Sequence, residues 1–227
     1  MNIRYAEKDY EVVVVGGGMS GLCAAMAAAR QGSKTALVHA RPVLGGNASS
    51  EIRIHISGAD QSLKQPDYAE GGLVYELMLA NKRCNDTFSY SRWDMVLFEK
   101  AKEEKNLDVY FNTVMYDCDV EDAKITAIYC VQETTEMRYR LTAPIFVDAT
   151  GNGTLGYYAG AEFRTGSEAQ AEFGEPHAPK EANQERMGNT ILPAIRSRCI
   201  QARRSRHPIR SWSRAGWLFL CRRCCVR

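Results

Sequence analysis

The chain has 227 residues, of which 45% are hydrophobic and 25% charged, and a formal net charge of +2. Met1 to Asp9 is mixed and charged, unlike a targeting segment, and no apolar run approaches the length of a membrane span. The expectation is a cytoplasmic protein with room for one domain plus a small lobe.

The first strong element is Tyr10 to Gly21, where the run Val12-Val13-Val14-Val15 feeds into Gly16-Gly17-Gly18-Met19-Ser20-Gly21. An alanine-rich helix from about Met19 to Arg30 and a second strand, Lys34 to His39, complete a strand, turn, helix, strand unit. G-x-G-x-x-G in that context is a dinucleotide-binding fingerprint. Gly16 serves the tight turn, Gly18 the close approach of backbone to a pyrophosphate, and Gly21 the packing of helix on sheet. The helix N-terminus then presents free N–H groups to phosphate. The acidic residue expected about 20 residues on is absent. His39 stands there and can make one hydrogen bond to a ribose hydroxyl, or can be a surface histidine of a strand end. Arg41 can stack on adenine, neutralise phosphate or read a 2′-phosphate, which keeps NADP open as the nucleotide.

Arg41 to Ser50 adds a second glycine pair, Gly45-Gly46, with Asn47, Ser49 and Ser50 as small hydrogen-bonding groups. Glu51-Ile52-Arg53-Ile54-His55-Ile56 alternates as a strand does. If its polar face meets the cofactor, Arg53 can stabilise negative charge and His55 can shuttle a proton; otherwise that face lies in water. Residues 60–106 read as an insertion with two helices. One spans about Ala69 to Leu79, with Leu73, Val74, Leu77 and Met78 at helical spacing, and Glu70-Gly71-Gly72 reads as its start in preference to a substrate-side turn. The other spans about Arg92 to Lys105, with Ser91 and Asp94 resembling a capping box and Met95, Leu97, Phe98 and Ala101 facing a core. A strand, Leu107 to Thr113, follows. Residues 114–142 form a meander, with Val114–Val120 and Ile125–Val131 flanking a turn at Glu121 to Lys124 and Arg138–Leu141 as its third strand. Thr142 to Ala149 returns parallel to the first strand and ends in a third small-residue loop, Ala149-Thr150-Gly151-Asn152-Gly153. This order predicts an α/β, doubly wound Rossmann-like domain with an antiparallel β-meander and a small helical insertion. A second glycine loop and a third one more than a hundred residues from the first favour the longer nucleotide, FAD.

Composition breaks near Ile195. The last 33 residues hold ten Arg, four Cys and two of the three Trp, with no Asp, Glu or Lys. They carry +10, which leaves −8 for the rest of a chain whose total is +2. Three readings compete: an arm for nucleic acid or acidic membrane, a metal site through Cys221, Cys224 and Cys225, or non-native sequence after about Pro193. The bias fits the third best, so residues 195–227 are not used to infer partners, and neither nucleic acid nor membrane is expected. Cys23, Cys84, Cys118 and Cys130 are scattered, which agrees with a reducing compartment.

Together, Gly-Gly-Gly-Met-Ser-Gly, Leu-Gly-Gly-Asn-Ala-Ser-Ser-Glu-Ile-Arg and Asp-Ala-Thr-Gly-Asn-Gly-Thr-Leu-Gly resemble the FAD-dependent oxidoreductase family with a glutathione-reductase-like Rossmann domain. Within it they are similar to the xanthan-lyase-like group, distantly related to the flavin domain of heterodisulfide reductase. The resemblance covers roughly residues 8–190. It implies that Gly16, Gly18, Met19, Ser20 and Gly21 hold the pyrophosphate, and that His39, Ala40 and Arg41 lie at the adenosine ribose. It further puts Gly45, Gly46 and Asn47 near pyrophosphate and flavin, Val114 at adenine, and Ala149, Thr150, Gly151 and Asn152 at the ribityl–pyrophosphate region. His39 and Asn152 depart from the family's acidic residues. Distant relatives carry a 4Fe-4S cluster, but the cysteine spacing for one is not present here. Related chains continue into a cap domain that selects the substrate. The implied function is a flavoprotein oxidoreductase passing hydride or electrons between an organic small molecule and FAD. The alternative is a non-catalytic FAD- or NADP-binding fragment.

Overall fold

The computed structural model describes residues 5–57 and 71–186, all within one compact unit, Met1–Asn189. The Arg- and Cys-rich tail lies outside the described residues.

Two four-stranded sheets form the frame. Chain order begins with β1, Ala6–Asp9, which belongs to the second of them. The first is wholly parallel in the order β4-β3-β2-β8, with β2 Val12–Val15, β3 Thr35–Val38, β4 Leu107–Tyr110 and β8 Ile145–Asp148. Val12 sits opposite Thr35 on one side and Ile145 on the other, so the glycine-bearing strand is central and the returning strand lies beside it. Both faces of β2 are covered, which is why it reads as four valines without alternation. Val14 and Leu37 point to one core with Leu22, Met26, Trp93, Val96 and Leu97. Val13, Val15, Ala36 and Val38 point to a second core with Met115, Ile128, Cys130 and Leu141. Strand periodicity thus divides one run between two layers.

The first layer is helical: α1 Met19–Arg30, α2 Gly72–Cys84 and α3 Tyr90–Glu103. Arg30 joins them through Glu76 of α2 at 2.7 Å and Glu104 after α3 at 2.6 Å. The second layer is the sheet β1-β7-β6-β5, with β5 Thr113–Glu121, β6 Lys124–Gln132 and β7 Met137–Thr142 antiparallel. The β5–β6 turn has positive φ at Asp122 (48°) and Ala123 (58°), the twist a two-residue hairpin needs. Short helices α4 Thr154–Tyr158 and α5 Gln170–Phe173 follow β8.

Four features differ from the sequence expectation. Strand β1 pairs parallel with β7 although its residues are mostly polar and exposed. It is an edge strand held by its backbone, and edges tolerate charge. Residues 51–56 form no strand. Ser49 Oγ donates to the Gly46 carbonyl at 2.7 Å and accepts the Glu51 N–H at 3.2 Å, and Arg53 then turns with φ 65°. Such local side-chain bonds compete with a ladder. Helix α3 starts earlier, with Ser89 at its N-cap, so Ser91 and Asp94 both lie inside it and no capping box forms. Asp94 instead accepts the Ser50 N–H at 2.9 Å. The buried face of α3 also differs: Trp93, Val96, Leu97 and Ala101 pack on the core, while Met95 and Phe98 are exposed.

Candidate functional site

The three small-residue loops leave the carboxyl ends of β2, β3 and β8, which the parallel register brings side by side. Ligands of open α/β sheets bind there. Between them lies a cavity of about 690 Å³, within the range of small-molecule and cofactor sites. Its walls include Gly16 to Ser20, His39 to Arg41, Gly45 to Asn47, Val114 and Ala149 to Gly151. Among the residues singled out from sequence, His55 also lines it, whereas Gly21, Asn152 and Arg53 do not.

Each loop is built for backbone approach. Gly16 has φ 106°, and a Cβ there would meet the Ala149 carbonyl oxygen at 2.2 Å. A Cβ on Gly21 would lie 1.8 Å from the Gly16 oxygen, so Gly21 seats α1 on the turn instead of facing the cavity. A Cβ on Gly18 meets nothing within 4 Å, the condition for a backbone a ligand can touch. The third loop is organised by Asp148, which accepts the Thr150 N–H (3.0 Å) and hydroxyl (2.7 Å) and the Gly156 N–H (2.9 Å). Partial burial pushes its carboxyl up, but these bonds outweigh burial and hold it below the usual carboxylate value.

His39 is where the ligand reading of the sequence fails. Its ring is buried and both nitrogens are engaged within the chain: Nδ1 accepts the Gly17 N–H at 2.9 Å, and Nε2 donates to the Val43 carbonyl at 2.9 Å. No ring nitrogen is left for a ribose hydroxyl. The signal that locates it is Gly17, an extra glycine the fingerprint does not require. A Cβ on Gly17 would meet the His39 ring at 2.5 Å. Arg41 differs: its Nε donates to Glu51 at 3.0 Å, but the side chain stays 57% exposed and lines the cavity, so this one ion pair does not take it from a phosphate.

Residues 54–57, the first three of which belong to the segment 51–56 read as a strand, form another wall of the cavity. Arg53 turns away: its Nε donates to the Ser50 carbonyl at 3.0 Å and its own carbonyl accepts the Tyr90 hydroxyl at 2.7 Å. Ala48, Ile54, His55 and Ile56 are shared with a neighbouring cavity of about 350 Å³, lined further by Met78, Asn81, Phe88, Tyr90 and Trp93. Sequence reasoning missed this chamber because it lies between α2, α3 and a segment read as a strand. Among the described residues, no group of three His, Cys, Asp or Glu side chains could hold a metal ion.

The model of the family described as FAD dependent oxidoreductase matches residues 11–219. The chain belongs to this family. Its cofactor is FAD, and the three convergent glycine loops with the open approach at Gly18 fit that molecule. Among solved structures, p-nitrophenol 4-monooxygenase from Pseudomonas putida DLL-E4 has the same fold, at 14% identity and a TM-score of 0.50, over 71% of this chain and 46% of that one. A geranylgeranyl bacteriochlorophyll reductase-like protein of Thermoplasma acidophilum matches at 18% identity and a TM-score of 0.49, over 69% of this chain and 43% of that one. Thermovibrio ammonificans THI4 matches at 18% and 0.49, over 77% and 76%. The chain thus spans less than half the length of the first two. Among the described residues no helix is long and apolar enough to cross a membrane.

Proposed function

We propose that this chain is the FAD-binding part of an oxidoreductase that moves hydride or electrons between FAD and a small organic molecule in the cytoplasm. The observation that carries this is the wall shared by two cavities. One is built from the three glycine loops, and the other is large enough for a small organic molecule and sets apolar side chains such as Ile54, Ile56, Met78, Phe88 and Trp93 beside the polar groups of His55, Asn81, Asn85 and Ser89.

When bound, FAD supplies the hydride and electron chemistry. The protein's share is placement. The N–H groups at the start of α1, with Gly18, Met19 and Ser20, suit the diphosphate. Gly45, Gly46 and Asn47 and Ala149 to Gly151 bracket it. Among the described residues His55 is the one titratable side chain common to both cavities, which supports a role in taking or giving the proton that accompanies hydride transfer. The free thiols of Cys23, Cys84, Cys118 and Cys130 support a reducing compartment.

The test is the full chain purified and reconstituted with FAD. The expected result is flavin absorption that stays with the protein through gel filtration, and bleaching on anaerobic addition of a substrate. Protein that takes up no FAD, while Gly18→Val behaves identically, would sink the proposal. FAD uptake without reduction by any of a panel of apolar alcohols, amines and quinols would leave a binding module in place of an enzyme.

A further inference from the structure

His39 closes the strand-end position at which a nucleotide site usually presents a carboxylate. We propose that His39 is a positioning residue for the cofactor: as the neutral Nε2–H tautomer it ties the glycine turn to the loop after β3, and its protonation releases the turn. This rests on the FAD reading above.

The tie has two ends and a fixed middle. Nδ1 accepts the Gly17 N–H and Nε2 donates to the Val43 carbonyl, both at 2.9 Å. The His39 main chain is pinned as well, its N–H on the Tyr110 carbonyl and its carbonyl accepting the Thr113 N–H, each at 2.9 Å. The ring fills the space where a Gly17 side chain would stand. It therefore cannot swing toward a ligand without giving up both bonds. Gly17 passes the restraint on, because its carbonyl accepts the Gly45 N–H at 2.9 Å. One imidazole thus fixes two of the three loops that bracket the cavity.

An imidazolium has no acceptor. On protonation Nδ1–H would face the Gly17 N–H, donor against donor, at a buried site, and either ring or turn must move. Burial is the main influence on this ring and favours the neutral form, holding the imidazole below its ordinary value of 6.5. The Val43 carbonyl and Glu51 act the other way, and Arg41 adds to burial. Glu51 and Arg41, paired with each other at 3.0 Å, are the charged groups acting on the ring; the glycine turn, Tyr110 and Thr113 offer it backbone bonds. Because the folded value is depressed, the tie contributes fully above the unfolded value of about 6.5 and is lost as pH falls below it through the folded value.

The experiment uses the full chain with ¹⁵N-labelled histidine and glycine. The expected spectrum at neutral pH has His39 protonated on Nε2 alone, with the Gly17 amide moving as His39 titrates. FAD affinity, read by quenching of flavin fluorescence, should fall about tenfold between roughly pH 7.5 and pH 5, which corresponds to about 1.4 kcal/mol of opposition between FAD binding and protonation of His39. His39→Asn should abolish that step, and His177→Gln, an exposed control, should keep it. An Nδ1-protonated ring, a Gly17 amide indifferent to the titration, or tighter FAD binding at low pH (an imidazolium attracting the diphosphate) would each overturn the proposal. Should His39→Asn fail to fold, the titration of the unmodified chain still decides. If FAD binds at no pH, the FAD reading fails, while the imidazole and Gly17 signals still judge His39.

Discussion

Gly18 and Gly21 lie three residues apart in one turn, yet the structure gives them opposite tasks, and alanine at each separates ligand binding from folding. At Gly21 the new Cβ would stand 1.8 Å from the Gly16 oxygen and 2.9 Å from the Ala149 Cβ. Neither is the end of a flexible side chain, so α1 must lift from the sheet. Overpacking costs about 1–3 kcal/mol, and contact with main chain belongs at the upper end. In a unit of this size about 3 kcal/mol lowers Tm by roughly 6–12 °C. At Gly18 φ is −64° and the new Cβ meets nothing. Alanine at a helix N-cap costs up to about 1 kcal/mol relative to glycine, offset by about 0.4–1 kcal/mol from the stiffer unfolded chain. The apo protein's Tm should therefore move by less than about 2 °C. The methyl group occupies space the cofactor needs, and a clash of about 1.4–2.8 kcal/mol raises the Kd for FAD roughly 10- to 100-fold. The assays are thermal unfolding without FAD and a fluorescence titration with it. Gly18→Ala binding FAD as the parent does would refute the placement of the diphosphate. Gly21→Ala with an unchanged Tm would refute the packing argument.

His55→Ala should retain FAD within about threefold but lower turnover by roughly 10²–10⁴, the contribution of a positioned acid–base group, with pre-steady-state flavin reduction as the readout. Asp148→Asn should lower Tm at neutral pH by removing the charge-assisted bonds from Thr150 and Gly156. Because the Asp148 carboxyl is held below its ordinary value, its contribution is present above about pH 4 and lost as pH falls through the folded value, so the two melting curves should converge in acid. A difference that persists there would refute the electrostatic account. Leu97→Ala removes a fully buried side chain whose Cδ1 backs Gly45. The expected cost is about 2–5 kcal/mol, measured by chemical denaturation, with weaker FAD binding in what remains folded.

The parts of the site legible in the sequence are those where the backbone itself lines the cavity. Gly16, Gly18, Gly45, Gly46 and Gly151 appear as glycines because any Cβ there would occupy a turn or the cavity, and local order of strand, turn and helix supplies the rest. The meander is legible for a similar reason, since alternation and a short polar turn are local. What escaped is set by partners distant in sequence. Strand β1 exists because β7, more than a hundred residues on, offers an edge. The fate of residues 51–56 depends on the Ser49 hydroxyl, and the exposure of Met95 and Phe98 on which face of α3 packs against Leu22, Met26 and Leu77.

His39 is the sharpest case, because the same donor and acceptor that suit a ribose also suit a peptide, and only tertiary structure decides. Gly17 carries the missing information. The fingerprint leaves that position free, so a third consecutive glycine needs another cause, and the ring 2.5 Å from its absent Cβ supplies one. A double-mutant cycle tests the pairing. Gly17→Ala alone should destabilise by about 1–3 kcal/mol through overpacking. His39→Ala alone loses the two ring bonds, at about 1 kcal/mol each. In the double mutant the ring is gone and only the residue 39 Cβ, 2.9 Å from the new methyl, remains in the way. The clash should therefore be eased but not removed, giving a favourable coupling toward the lower end of about 0.5–3 kcal/mol. Strict additivity of the two single changes would mean that the ring and the turn do not share that space, and His39 would return to being a candidate ligand of the ribose.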